Sequence, residues 1–297
     1  MTFSKALSLS LGELTEPVVT RYRLGLQVHR LYRNKNFQGE TLERLTKEFA
    51  TMAEYYTSLG NLEDSGVLRQ HPAFPRRVYR LLGRKAVEVE EVACSVDPFC
   101  YLSHFSAMNY HGLTDRLPVK LYLSSPASQQ WKEEALSRMK KDLKEDFADY
   151  RAREMPLMER FKMEKIGRTE IKRFNSKHWG AYKNVRGKMM RVSTIGRTFL
   201  DMVRTPELCG GIRHVLESYQ EHAGRYVKLI VDEVELHGAP IDKVRVGYIL
   251  DEVMKIPDER IERWVSYAQR GGSRKLDASA EFMPEYSEKW SLSLNLD

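Results

Sequence analysis

Residues Thr51–Leu82 read TMAEYYTSLGNLEDSGVLRQHPAFPRRVYRLL, and the fold of the first third of the chain turns on them. Met52, Tyr56, Leu59 and Leu62 recur at helical spacing, and Gly66 follows as a residue suited to a left-handed cap. The rest divides into two short strand-like runs around a turn that holds His71, Pro72 and Pro75. A helix that stops at glycine and enters a hairpin is the closing half of a winged helix-turn-helix. In that layout the third helix lies in the major groove and the hairpin touches backbone or minor groove.

Upstream, Pro17 to Tyr32 sets Val18, Tyr22, Leu26, His29 and Tyr32 against Arg21, Arg23 and Arg30 at helical spacing. NKNFQG breaks that pattern, and GETLERLTKEFA follows with Leu42, Leu45 and Phe49 on one face, which predicts a second helix. Three helices and a hairpin predict a winged helix-turn-helix domain over residues 1–87. Glu54, Tyr55, Thr57, Ser58 and Asn61 fall on the side of the third helix expected to be exposed. No Arg or Lys lies between Thr51 and Val67, so a bidentate arginine–guanine contact is unavailable from that helix. Cations come instead from Arg44 and Lys47 before it and from Arg69, Arg76 and Arg77 in the hairpin. This distribution favours positioning on the DNA backbone over base reading. The expected DNA-binding set is therefore Arg44, Lys47, Tyr55, Thr57, Ser58, Asn61, Arg69, Arg76 and Arg77.

Charge points the same way. The 297 residues carry a net charge of +7, unevenly spread. Pro17–Lys85 holds 13 basic and 6 acidic residues, Ala127–Lys188 holds 17 and 10, and the remainder holds 18 and 25. Two basic regions on an acidic background suit a polyanionic partner. No window approaches the ~20 apolar residues of a membrane helix, and the weakly apolar start, without a charged run and a long apolar stretch, is not expected to be a secretory leader. Cys94, Cys100 and Cys209 form neither a CxxC pair nor an even framework, so no disulfide scaffold and no zinc site is implied. The expectation is a cytoplasmic protein without cofactor or metal.

In CYLSHFSAMNYHGLTD, Cys100–Asp115, two histidines share a few residues with Ser103 and Tyr110. His104 and His111 stand seven apart, whereas zinc pairs on a helix stand three or four apart. No carboxylate is spaced to orient either imidazole, and no glycine-flanked serine makes a nucleophile elbow. Ser103 reads as a helix N-cap and Gly112 as the terminator, so the stretch is a packing element. PVKLYLSSP is a strand, and Ser125–Pro126 opens a long amphipathic helix with the stripe Trp131, Ala135, Met139, Leu143, Phe147 and Tyr150. That stripe suits either packing on its own domain or an arm for a partner. Strands around a turn at Val185–Gly187, a helix from Gly196, four further helices and a last strand, WSLSLN, complete an α+β layout.

Metal-dependent nucleases need a carboxylate followed by an acidic-x-Lys pair on an adjoining strand. Asp201 lies in RTFLDMV, and Asp232, Glu233 and Glu235 lie in VDEVELH, all helical in pattern. Asp201 is expected to form a buried pair with Arg197 one turn earlier. No phosphate loop appears. The chain is not expected to be an enzyme.

Several phrases together carry a resemblance. YLSHFSAMNYHGLTDRLPVKLYLSS resembles the "SHxSAL…HGLT" block of AbiEi-type antitoxins, the antitoxin half of type IV abortive-infection toxin–antitoxin systems. MRVSTIGRTFLDMVRTPELCGGIRHVL, VRVGYILDE and RGGSRKLDASAEF…YSEKWSLSLN resemble its later blocks, in the same order. The resemblance implies an N-terminal winged helix-turn-helix that binds promoter inverted repeats, a dimer on DNA being one form of this, and represses its own operon. It implies a mixed α+β antitoxin domain over residues 88–297, which counters a nucleotidyltransferase-like toxin without a stable complex. Ser103, His104, His111, Arg197 and Asp201 would be structural residues of that domain. The sequence departs from the pattern in an apparent helical insertion at about 126–165 and in LDAS where the family has LDPS. The alternative is a two-domain interaction protein that has lost DNA binding.

Overall fold

The computed structural model describes residues 1–84, 88–176, 178–268 and 274–296. The protein is α+β and divides into two compact units that are not contiguous in sequence. The first comprises Met1–Cys100, Ser125–Ile171 and Val185–Met190, and the second comprises Tyr101–Ser124, Lys172–Asn184 and Arg191–Asp297. The expected boundary at 87/88 does not reproduce this division. The stretch read as an insertion belongs with the N-terminal unit.

The first unit begins with α1 (Phe3–Gly12), β1 (Val18–Thr20), α2 (Arg21–Asn34) and a two-residue-strand hairpin, β2 (Asn36–Phe37) and β3 (Glu40–Thr41). Then come α3 (Met52–Asp64), β4 (Leu68–Gln70), β5 (Val78–Leu81) and α4 (Val89–Val96). Threonine hydroxyls open the first two helices, Thr2 accepting from the Lys5 N–H and Thr20 from the Arg23 N–H. Gly66, at φ +71°, closes the turn after α3 as expected. The sheet order is β1-β5-β4, antiparallel throughout, with Val19 opposite Tyr79 and Arg69 opposite Arg80.

Two expectations fail here. The β-branched run Val18-Val19-Thr20 is a strand against β5, so α2 starts later than its periodicity suggests. Residues 42–51 form no helix. Arg44 sits at φ +59°, and the Phe49 ring is flanked by the Arg33 and Arg153 guanidiniums, 4.5 and 4.7 Å from its centroid. Those tertiary contacts satisfy Phe49 without a helical face. The helix that shares the core with α2 and α3 is α1, through its buried Ala6, Leu7 and Leu11.

Residues 125–171 complete this core. The long helix breaks into α6 (Ser128–Leu143), a 3-10 turn (Lys144–Asp146) and α7 (Phe147–Ala152), with Lys144 at φ +50° marking the break. Met139, Leu143, Tyr150 and Met155 join the core that α1, α2 and α3 build. Polar contacts fix the register: Tyr22 Oη donates to Asp142 Oδ2 at 3.0 Å, and His29 Nε2 and Arg33 Nε meet Asp146 Oδ2 at 3.1 and 2.9 Å. Gly25 permits the contact, because a Cβ there would lie 2.5 Å from the Tyr150 hydroxyl. The amphipathic stripe therefore packs within its own unit and is not an unpartnered arm. A short hairpin, β8 (Lys165–Ile166) with the start of β9 (Thr169–Ser176), ends the segment.

The second unit holds β6 (Tyr101–Leu102), α5 (His104–Tyr110), most of β7 (Lys120–Pro126), the rest of β9, β10 (Tyr182–Asn184) and β11 (Arg191–Ser193). These strands run in the order β10-β11-β6-β7-β9, with β11 parallel to β6 and β6 antiparallel to β7. Helices follow: α8 (Ile195–Arg204), α9 (Ile212–His222), α10 (Val227–His237), α11 (Pro240–Tyr248) with a π-helical turn at Ile249–Val253, and α12 (Glu259–Trp264). A last hairpin pairs β12 (Tyr286–Ser287) with β13 (Leu292–Ser293). Gly196 lets α8 approach α10 closely, since a Cβ there would meet the Leu229 carbonyl at 2.3 Å. Among the described residues no helix is long and apolar enough to cross a membrane.

Candidate functional site

Of the nine residues expected to touch DNA, all but the buried Tyr55 separate into three groups. Arg44, Thr57, Ser58 and Asn61 line one cavity of about 480 Å³, which Phe3 and Leu7 of α1 share. Arg69, Arg76 and Arg77 stand on the hairpin and are exposed. Lys47 is committed to an ion pair with Glu54.

The face of α3 differs from the expected one. Tyr55 is fully buried and Ser58 nearly so, with the Ser58 hydroxyl returned to the Glu54 carbonyl at 2.7 Å. Neither can reach a base. Glu54 is also occupied: the Thr51 N–H donates to its Oε2 at 2.8 Å, and Lys47 and the Thr51 hydroxyl bind it too. Lys47 first and Thr51 second hold its carboxyl down to about 2. The exposed positions are Ala53, Tyr56, Thr57, Asn61 and Asp64. Tyr56, read as a core position, is 51% exposed, and its hydroxyl accepts from Arg21 Nη2 at 2.9 Å. A one-residue rotation of the helix face accounts for the exchange of Tyr55 with Tyr56. The tyrosine pair offered two equivalent registers, and packing against the sheet selected one.

On the hairpin, Arg76 takes a left-handed backbone at φ +61°, and Arg77 stands 3.6 Å from Glu159 in an exposed pair. Arg80, absent from the expected set, lies directly across from Arg69. Like charges opposite one another weaken a ladder unless an anion screens them. Strand alternation from Val78 would have placed Arg80 outward. Which arginine it faces depends on a register that the intervening loop decides.

In the second unit, Ser103 is the N-cap of α5, fully buried, with its Oγ 2.9 Å from the Ser124 hydroxyl and 2.8 Å from His104 Nδ1. Burial pushes His104 down to about 4, so it is neutral at pH 7, and its ring meets Phe174 edge-on. His111 caps the other end of α5 and donates from Nε2 to the Ser193 carbonyl at 2.8 Å. Both imidazoles thus tie α5 to its surroundings.

Arg197 and Asp201 are buried, but they are not each other's partner. Arg197 Nε reaches Glu233 Oε1 on α10 at 2.7 Å, and its Nη1 donates to the His178 carbonyl. The nearest cation to Asp201 is Arg204, 3.9 Å away, which itself binds Asp242 at 2.9 Å. Sequence spacing offered Arg197 as the neighbour one turn away. The close α8–α10 crossing at Gly196 supplied Glu233 instead. His104, His178, Asp201, Arg204 and Asp242 line a shared cavity of about 460 Å³.

Burial lifts the Asp201 carboxyl to about 7, against the opposing pull of Arg197 and Arg204 and with help from Glu233 and Asp242. The folded state therefore holds this proton more tightly than the unfolded chain. The stability it lends is complete below about pH 4 and is lost as pH rises through about 7, a span worth up to about 4 kcal/mol. Asp201→Asn removes the titration. Urea unfolding should show the variant gaining on the native protein steadily from pH 4.5 to 7.5. Parallel stability curves would refute the assignment.

No family model matches the chain, and no curated protein matches it. Among solved structures, the crystal structure of RV2827C protein from Mycobacterium tuberculosis is similar, at 10% identity and a TM-score of 0.48, over 97% of this chain and 90% of that one.

Proposed function

We propose that the chain is a DNA-binding repressor that also acts as the antitoxin to a nucleotidyltransferase-like toxin. The first unit would bind promoter inverted repeats as a winged helix-turn-helix. What supports this half is the order helix, strand, helix, short hairpin, helix, strand, strand with the last strand central in the three-stranded sheet, and a second hairpin whose exposed face is cationic. The antitoxin half rests on the ordered sequence blocks of the second unit. A specific observation favours the competing reading, an interaction protein without DNA binding: the exposed face of α3 carries no cation.

One double variant separates the two readings. Arg76→Ala with Arg77→Ala should weaken binding to all duplex sequences alike and lower the salt slope by about one to two units, at ~0.9 per phosphate contact. The exposed Glu159 pair lost with it contributes little to stability. A mobility shift on the chain's own upstream DNA across a salt series reads both quantities. Binding and slope unchanged from the native protein would reject the hairpin as the contact, and no binding by the native protein would favour the interaction reading.

The same variant tests the second half. Coexpressed with a neighbouring nucleotidyltransferase-like reading frame, it should lose promoter repression and keep full protection against growth arrest. Loss of protection alongside repression would show that the two activities do not reside in separate units.

A further inference from the structure

The outward face of the β1-β5-β4 sheet carries a cavity of about 390 Å³ within the first unit. Val18, Val92 and Ile166 contribute an apolar floor, and three arginines share the lining, Arg80 and Arg84 from the end of β5 and Arg168 from the β8–β9 turn. None of the described lining residues is a carboxylate. Arg80 and Arg168 are exposed and form no ion pair among the described residues. Arg84 is anchored by Nη2 to the carbonyls of Gly12 and Leu14. His71, also in the lining, adds no charge at pH 7, because burial and then Arg80 push it down to about 4.

We propose that this cavity is a binding site for a small organic phosphate. Three arginines around one concavity, with a fourth, Arg69, opposite Arg80, repel one another until an oxyanion enters. A phosphate offers several acceptor oxygens to guanidinium forks, which bind it in short charge-assisted hydrogen bonds. The apolar floor requires more than the anion: it suits a hydrophobic or planar body attached to it. The volume falls in the range of small-molecule sites. A DNA backbone presents its phosphates on a convex surface and brings no apolar body to fill the floor. The inference does not depend on the DNA-binding reading.

The test is calorimetric titration of the full chain with 1-naphthyl phosphate, with inorganic phosphate and 1-naphthol as its two halves. The whole probe should bind at one site per chain at least tenfold more tightly than either half. Arg80→Gln and Arg168→Gln should each weaken it about tenfold, the loss of one charge-assisted contact. Arg30→Gln, an exposed arginine outside the cavity, should change nothing. Both test variants alter exposed side chains, and their unfolding transitions should match the native protein's. Absence of saturable binding, equal affinity for inorganic phosphate, or affinity unchanged in the two variants would overturn the proposal. Displacement of the probe by nonspecific duplex DNA at matched phosphate concentration would overturn it too, assigning the arginines to backbone contact.

Discussion

A chain lacking residues 1–85 should fail to form a soluble, cooperatively unfolding protein. The linear reading made 88–297 a domain of its own, and on that basis the truncation would be harmless. The structure assigns residues 125–171 to the N-terminal core instead. Removing α1, α2 and α3 would uncover Met139, Leu143, Tyr150 and Met155, all buried in the native protein. Each such side chain loses roughly 1.5–3 kcal/mol of burial, and Asp142 and Asp146 lose their Tyr22, His29 and Arg33 partners as well. The truncated chain should bind a hydrophobic dye strongly and lose its near-ultraviolet circular dichroism. A monomeric product with a sharp urea transition and no dye binding would show that 125–171 does not need the first helices. A loss of antitoxin protection in this truncation therefore says nothing about where that activity resides, which is why the hairpin point variants are the proper test.

Arg197→Met should destabilise the second unit by about 3–5 kcal/mol, because it strands the buried Glu233 carboxylate without a cation. It also leaves the His178 carbonyl without its donor. Adding Glu233→Leu should recover much of the loss, since an apolar pair of similar volume often replaces a buried ion pair at little cost. The coupling in that double-mutant cycle should exceed the coupling of Arg197 with Asp201, which shares the helix but not the contact. Urea unfolding of the four proteins in each cycle decides it. A larger coupling to Asp201 would restore the pairing that sequence spacing suggested and would contradict the α8–α10 contact.

Trp290 illustrates how far a single residue's role hides from the sequence. It reads as the start of a last strand, yet its ring rests on Gly247 of α11, where a Cβ would approach it to 2.2 Å. Its Nε1 donates to Asp251 at 3.0 Å. Nothing local to either segment announces the meeting. The same holds for Phe49, whose spacing with Leu42 and Leu45 mimics a helix face until the two guanidiniums that hold its ring are brought together in space.

Local chemistry was therefore legible and partnership was not. The helix at Met52–Asp64 with its glycine stop, the hairpin after it, the helix at His104–Tyr110, and the helices that follow Gly196 follow from periodicity and from cap and turn residues. Those signals act over a few residues, within one turn or one hairpin. Which side of α3 faces out, which carboxylate holds Arg197, that Arg69 confronts Arg80, and that residues 125–171 complete the N-terminal core were decided only by tertiary packing. Each depends on contacts between segments far apart in the chain. Their strength comes from burial and from charge pairing out of water, and both exist only once the segments have met.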